Sequence, residues 1–148
     1  MLEEDTGQFD GHDRAPPVCV KDVLRVWRRL LVSELPWKEM ALDDIEGYMK
    51  RIVIVLIDED RLADHSTRHW RLRMAARSHG IFRRSQQCAA ECLQCEFDVL
   101  RYAIEMCLVR SRTSVSTKRG ILAVLNAEFP VVLSAVAGGW FGQPPAPR

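Results

Sequence analysis

Apolar residues along this chain recur at intervals of three and four, the period of buried helix faces. Val20, Val23, Leu24, Trp27, Leu30 and Leu31 form the first such face, with Arg25, Arg28 and Arg29 lying off it. They predict a helix from Val20 to Leu35. Pro36 ends it, because the residue before a proline is pushed out of the helical region. A second helix is expected to start near Asp43, where Asp43 and Glu46 have the spacing of a capping box. Its buried face is Ile45, Met49, Ile52, Val53 and Leu56. The continuous, largely β-branched run Ile52 to Ile57 would also suit a buried strand. Helix is the better reading, since the periodic pattern runs into it unbroken and no partner strand is evident.

Asp58-Glu59-Asp60 reads as a polar link. A third helix covers roughly Ser66 to Ile81, with Trp70, Leu72, Ala75, Ala76 and His79 available to the interior. Gly80 can mark its end, because glycine tolerates the left-handed conformation of a helix C-terminus. The longest pattern follows, from Ala89 to Arg110, and it carries two apolar stripes. One is Leu93, Phe97, Leu100, Ile104 and Leu108; the other is Cys88, Cys92, Cys95, Val99, Tyr102 and Met106. Two adjacent stripes imply cover from two sides, so this helix is central, or packs on its own domain with one stripe and on a second subunit with the other. Cys92, Cys95, Val99, Tyr102 and Met106 are the candidate dimer seam. Thr117 is a plausible N-cap for a last helix from Lys118 to about Val136. Pro130 is expected to kink or divide it, and Gly138-Gly139 to stop it.

The pattern therefore predicts an all-α bundle of about five helices over residues 18–140. An acidic segment, 1–17, precedes it and is expected to be mobile; a Pro-rich tail, 141–148, follows. The 148 residues suit one domain with one sizeable core. The net charge of +1 gives no overall bias toward nucleic acid or membrane. The charge is uneven, however: seven arginines and one acid, Asp64, lie between Arg61 and Arg84. A solvated helix face is the ordinary cause of such a run, and an anionic partner is the other. The N-terminus lacks the apolar centre of a signal peptide. The most apolar stretch, Ile121 to Phe141, is interrupted by Asn126, Glu128 and Pro130, so no membrane span or membrane partner is expected. Five cysteines, an odd number without secretory context, read as reduced thiols in a cytoplasm.

Little in the chain argues for catalysis. Cys88, Cys92 and Cys95 share a helix face and could hold a soft metal, but no second ligand pair accompanies them, and small apolar packing is the better reading. His65 and His69 have the spacing of a metalloprotease pair, yet residue 66 is serine where that chemistry needs a glutamate base. No nucleophile triad, phosphate loop or dinucleotide fingerprint occurs. No catalytic residue, metal or cofactor is assigned. Arg68, Arg71, Arg73, Arg77 and Arg84 do not share one helix face, so they form no dedicated nucleic-acid stripe.

The residues with the most specific pattern are His79-Gly80, Arg83, Glu96-Phe97 and Leu100-Arg101. An arginine four residues after His-Gly, then a Glu-aromatic pair and a Leu-Arg three residues past the aromatic, resembles the N-terminal sensory domain of RsbR-type stressosome proteins. Such domains also precede bacterial signalling modules such as histidine kinases. The interval from His79 to Glu96 is family-like, and Trp27-Arg28-Arg29-Leu30 through Leu35-Pro36 looks like the family's first helix. The resemblance spans about Val20 to Val136. It departs at Gln87, where the family often has glycine, then an aromatic and a capping residue; here Gln87-Cys88-Ala89-Ala90 stands instead. The long helix could therefore start earlier, near Arg84.

The resemblance implies a globin-like bundle without haem, working as a homodimeric, cytoplasmic signal-input domain. Its effector would be either a module of a longer protein or a separate signalling partner. Haem would need an axial ligand, and no histidine occurs in or after the long helix. His79, Arg83, Glu96 and Arg101 are the candidate site. They read first as an internal lock between two helices, with Glu96 pairing Arg83 or Arg101, and second as a ligand or signal-relay site. The alternatives from other classes are a ligand-, haem- or metal-binding helical module and, more weakly, a small DNA-binding regulator.

Overall fold

The first helix, α1 (Val20–Glu34), buries Val23, Leu24, Trp27 and Leu31 and turns its arginines outward. Four further helices follow in the computed structural model, which describes residues 18–34, 42–58 and 65–143. They are α2 (Leu42–Val53), α3 (His65–Ser85), α4 (Ala90–Arg110) and α5 (Val115–Phe141). Ile54–Asp58 continues α2 as one wide π-helical turn. No strand occurs among the described residues, so the β-branched run after Met49 is helical. The described residues form an all-α bundle of five helices. The expectations for segment 1–17, Pro36 and the end of the Pro-rich tail lie outside the described residues.

Two expected caps are replaced. Asp43 is not an N-cap but lies inside the first turn of α2, and its carboxylate accepts from Arg28 Nη1 at 2.8 Å. Glu46 accepts from the same nitrogen at 3.3 Å. The two acids thus tie α2 to α1 and do not form a capping box. Hydrogen bonding to Asp43 is the chief reason that the Arg28 pKa is raised. At α5 the N-cap is Ser114, whose hydroxyl accepts from the Thr117 N–H at 3.1 Å. Thr117 is therefore the donor in the cap, and the helix starts earlier than its apolar pattern.

The expected helix stops are also displaced. Gly80 lies within α3, and α3 ends in a Schellman motif instead. Cys88 N–H donates to Arg83 O at 3.1 Å, Gln87 N–H donates to Arg84 O at 2.9 Å, and Gln87 takes φ 57°. This break leaves α4 to start at Ala90, not near Arg84. α5 runs past Gly138 and Gly139 and ends at Gly142, with φ 75° and the same pair of bonds, Gln143 N–H to Gly138 O and Gly142 N–H to Gly139 O. Pro130 does not divide α5; it is exposed, so the carbonyl deprived of its helical donor faces water.

Gly80 and Gly139 have another use. A Cβ on Gly80 would lie 2.1 Å from Val136 O, and one on Gly139 would lie 2.2 Å from Arg77 O. Their absence lets the backbones of α3 and α5 touch. The contacts His69 to Glu128 and Arg84 to the Trp140 carbonyl advance together along both helices, so the two are parallel. α4 packs chiefly on α1. Its stripe Leu93, Phe97, Leu100, Ile104 and Leu108 is buried in the core. The other stripe looks outward: Cys92, Cys95, Val99 and Met106 are half-buried and Tyr102 is exposed.

Candidate functional site

Glu96 is on the inner side of α4, and α3 presents His79 and Arg83 one helical turn apart. All three side chains have no solvent exposure. Glu96 Oε1 lies 2.7 Å from His79 Nε2. Glu96 Oε2 accepts from Arg83 Nε at 2.8 Å, and Arg83 Nη2 lies 2.7 Å from the same oxygen. A carboxylate alone in this position would carry a large desolvation penalty; the guanidinium fork supplies both charge and geometry. An ionised carboxylate only accepts, so the His79 hydrogen lies on Nε2. Nδ1 of His79 is then a buried nitrogen with no hydrogen-bond partner among the described residues.

The remaining donors of Arg83 are also used. Nη1 donates to Gln86 Oε1 at 2.5 Å, and Nη2 lies 3.0 Å from Cys88 Sγ. Cys88 Sγ in turn lies 3.8 Å from Glu96 Oε2. Burial pushes the Cys88 thiol up to about 12; the Arg83 charge opposes that shift and Glu96 adds to it. Cys88 is therefore a protonated, inert thiol inside the lock. Burial likewise raises the pKa of Cys107 on α4.

Two tryptophans close the site. Trp27 Nε1 of α1 donates to the Glu96 main-chain carbonyl at 3.1 Å, and Trp140 Nε1 of α5 donates to the Cys88 carbonyl at 3.0 Å. Phe97 lies edge-on to the His79 ring, centroids 5.2 Å apart, and Tyr48 stacks on Phe82 at 4.4 Å. Four helices thus meet around Glu96. Sequence spacing does not reveal this convergence. Trp27 carries the one usable signal, since an indole N–H on a buried stripe needs an acceptor.

The expected site is only partly assembled. His79, Arg83 and Glu96 come together, but Arg101 does not join them. Five residues along a helix turn it about 140°, so Arg101 faces away from Glu96. Arg101 Nε pairs with Glu105 at 3.3 Å, its guanidinium also reaches Asn126 Oδ1, and it lies over the Phe129 ring at 5.6 Å. The cysteines also separate: Cys88 is within the lock, and Cys92 and Cys95 are on the outward stripe. No metal-binding group of three or more His, Cys, Asp or Glu occurs among the described residues. His65 and His69 are neighbours, ring centroids 5.6 Å apart, and His69 Nδ1 lies 3.2 Å from Glu128 Oε1.

Two further arginines of α3 have structural partners near the end of α5. Arg77 Nη2 donates to Gln143 O at 2.8 Å and Arg84 Nη1 to Trp140 O at 2.5 Å, at the carbonyl-rich end of α5. Two clefts border α1. One of about 660 Å³ lies against α2 and includes Leu24, Lys21 and Lys50; one of about 320 Å³ lies against α4 and includes Arg29, Arg110 and Cys107. Neither is lined by a lock residue. Comparison with protein-family models, curated proteins and solved structures gives no match.

Proposed function

We propose that this chain is a non-catalytic bacterial signal-input domain acting in a stress-type response. It works through helix packing and dimer geometry on an effector module or a separate signalling partner. One observation carries the reading: His79, Arg83 and Glu96, the polar residues on which the family resemblance rests, close on one another in a single buried lock. The lock supports a relay more than a reaction. Its ionisable groups are spent on one another, and none reaches solvent.

The break after α3 adds support. Gln87 has positive φ at the position where the resembled family often carries glycine, so the local backbone suits that family's residue. In this reading the domain is globin-like, cytoplasmic and homodimeric, with Cys92, Cys95, Val99, Tyr102 and Met106 as the seam between protomers. Light scattering on purified protein tests it. The expected result is a dimer that becomes a folded monomer in Tyr102→Glu, since Tyr102 is 54% exposed and its charge would disturb no core. A wild-type monomer at high concentration overturns the dimer reading.

A second reading, a ligand-, haem- or metal-binding module, draws on the unpartnered Nδ1 of His79. It predicts visible absorbance or stoichiometric metal in purified protein. Colourless, metal-free and fully folded material removes its haem and metal forms.

A further inference from the structure

The face formed by α3 and α5 has an unusual charge pattern. α3 carries no acid; of its six arginines Arg83 is buried in the lock, and Arg77 and Arg84 lie on the α5 side, while α5 carries Lys118, Arg119 and a single acid, Glu128. Glu128 is buried against His69. Neither helix therefore offers an exposed carboxylate, although the whole chain has a net charge of only +1. Arg77 and Arg84 hydrogen-bond to main-chain carbonyls, so these bonds bring no neutralising charge.

The same face is apolar beyond the needs of the core. The most apolar window of α5 has a mean hydropathy of 1.8, yet only 33% of it is buried. By length and composition α5 could cross a membrane. Its outward residues include Ala123, Ala127, Pro130 and Ser134, none of them charged. At its C-terminal end Phe141 is 62% exposed, and Ile81 of α3 is 45% exposed. Trp140 lies edge-on to Phe141, centroids 4.9 Å apart, with the Arg84 guanidinium 5.2 Å above the Trp140 ring. An uncharged apolar strip bounded by aromatics and cations matches the boundary between acyl chains and anionic headgroups. Nucleic acid would use the cations and leave the apolar strip in water.

We infer that the α3–α5 face docks on the surface of an anionic phospholipid bilayer. The helices keep their fold and lie along the surface. The close approaches of Gly80 to Val136 and of Gly139 to Arg77, with the buried Glu128, hold α5 to α3, not across the bilayer. Flotation of the full chain with vesicles tests this, comparing phosphatidylcholine alone with phosphatidylcholine plus phosphatidylglycerol. The chain is expected to float with the anionic vesicles and to be partly released by salt. The double substitution Ile81→Ser with Phe141→Ser is expected to weaken partition about tenfold or more. Helicity and the unfolding midpoint stay as in wild type, because both side chains are exposed. Lys118→Glu with Arg119→Glu lowers binding to the anionic vesicles only. Absence from anionic vesicles, or undiminished flotation of the Ile81/Phe141 variant, overturns the inference. Retention on duplex DNA without flotation overturns it in favour of phosphate recognition. Loss of a dimer in the Ile81/Phe141 variant without any flotation would show instead that a second copy covers the face.

Discussion

Glu96 accepts from two α3 side chains while fully buried, so its partners are worth most when considered together. Removing one member of a buried charge pair leaves the other uncompensated, at a cost of about 3–5 kcal/mol. Glu96→Ala is expected to lose stability in that range in urea unfolding. Replacing Arg83 and Glu96 together by apolar residues of similar volume should lose far less, and equal losses would contradict the lock. Cys88 gives a pH signature. Its thiol, pushed up to about 12 from 9.0, stays protonated in the fold after the unfolded chain has released its proton. Stability from this group is complete below about pH 9 and falls as pH rises toward about 12, by up to about 1.4 kcal/mol per unit. Cys88→Ala should flatten that fall in pH-dependent thermal melts, leaving the smaller effect of Cys107, which is raised in the same direction. At this scale the sequence exposed His79, Arg83 and Glu96 through their spacing. It misdirected Arg101, whose helical phase is wrong, and it hid Cys88 within an apolar stripe.

The helices themselves are legible because each buries a face at helical period, and all five residues of the expected apolar stripe of α4 are buried, together with Glu96 and Ala103. Their ends were less so, since caps depend on backbone geometry that several residue types can satisfy. Glycine is the least legible residue here: Gly80, Gly138 and Gly139 suit helix stops in the sequence, whereas in the fold Gly80 and Gly139 let two helices approach. Gly80→Ala or Gly139→Ala should therefore destabilise by about 1–3 kcal/mol, despite the better helix propensity of alanine. Gly120→Ala, where a Cβ meets nothing within 4 Å, should stabilise by about 0.5–1 kcal/mol in the same thermal-denaturation series. Gln87→Gly relieves a left-handed conformation that costs a side-chain-bearing residue about 1–2 kcal/mol, and should raise the melting temperature.

For the whole molecule, the question is whether the lock and the outward stripe of α4 are coupled. They share one helix: Glu96 points inward from α4, while half-buried Val99 and exposed Tyr102 lie further along it, about 60° and about 120° around the helix from Glu96. Loosening Glu96 would let α4 shift against α3, and the proposed dimer seam would move with it. The measurement is the dimer dissociation constant by sedimentation equilibrium, for wild type and for Glu96→Gln, with circular dichroism showing that both are folded. A coupling of about 1–3 kcal/mol predicts a change of about 5- to 150-fold, although residue 96 is buried and makes no contact across the seam. An unchanged constant in a folded Glu96→Gln protein, or a wild type that never dimerises, would contradict the account.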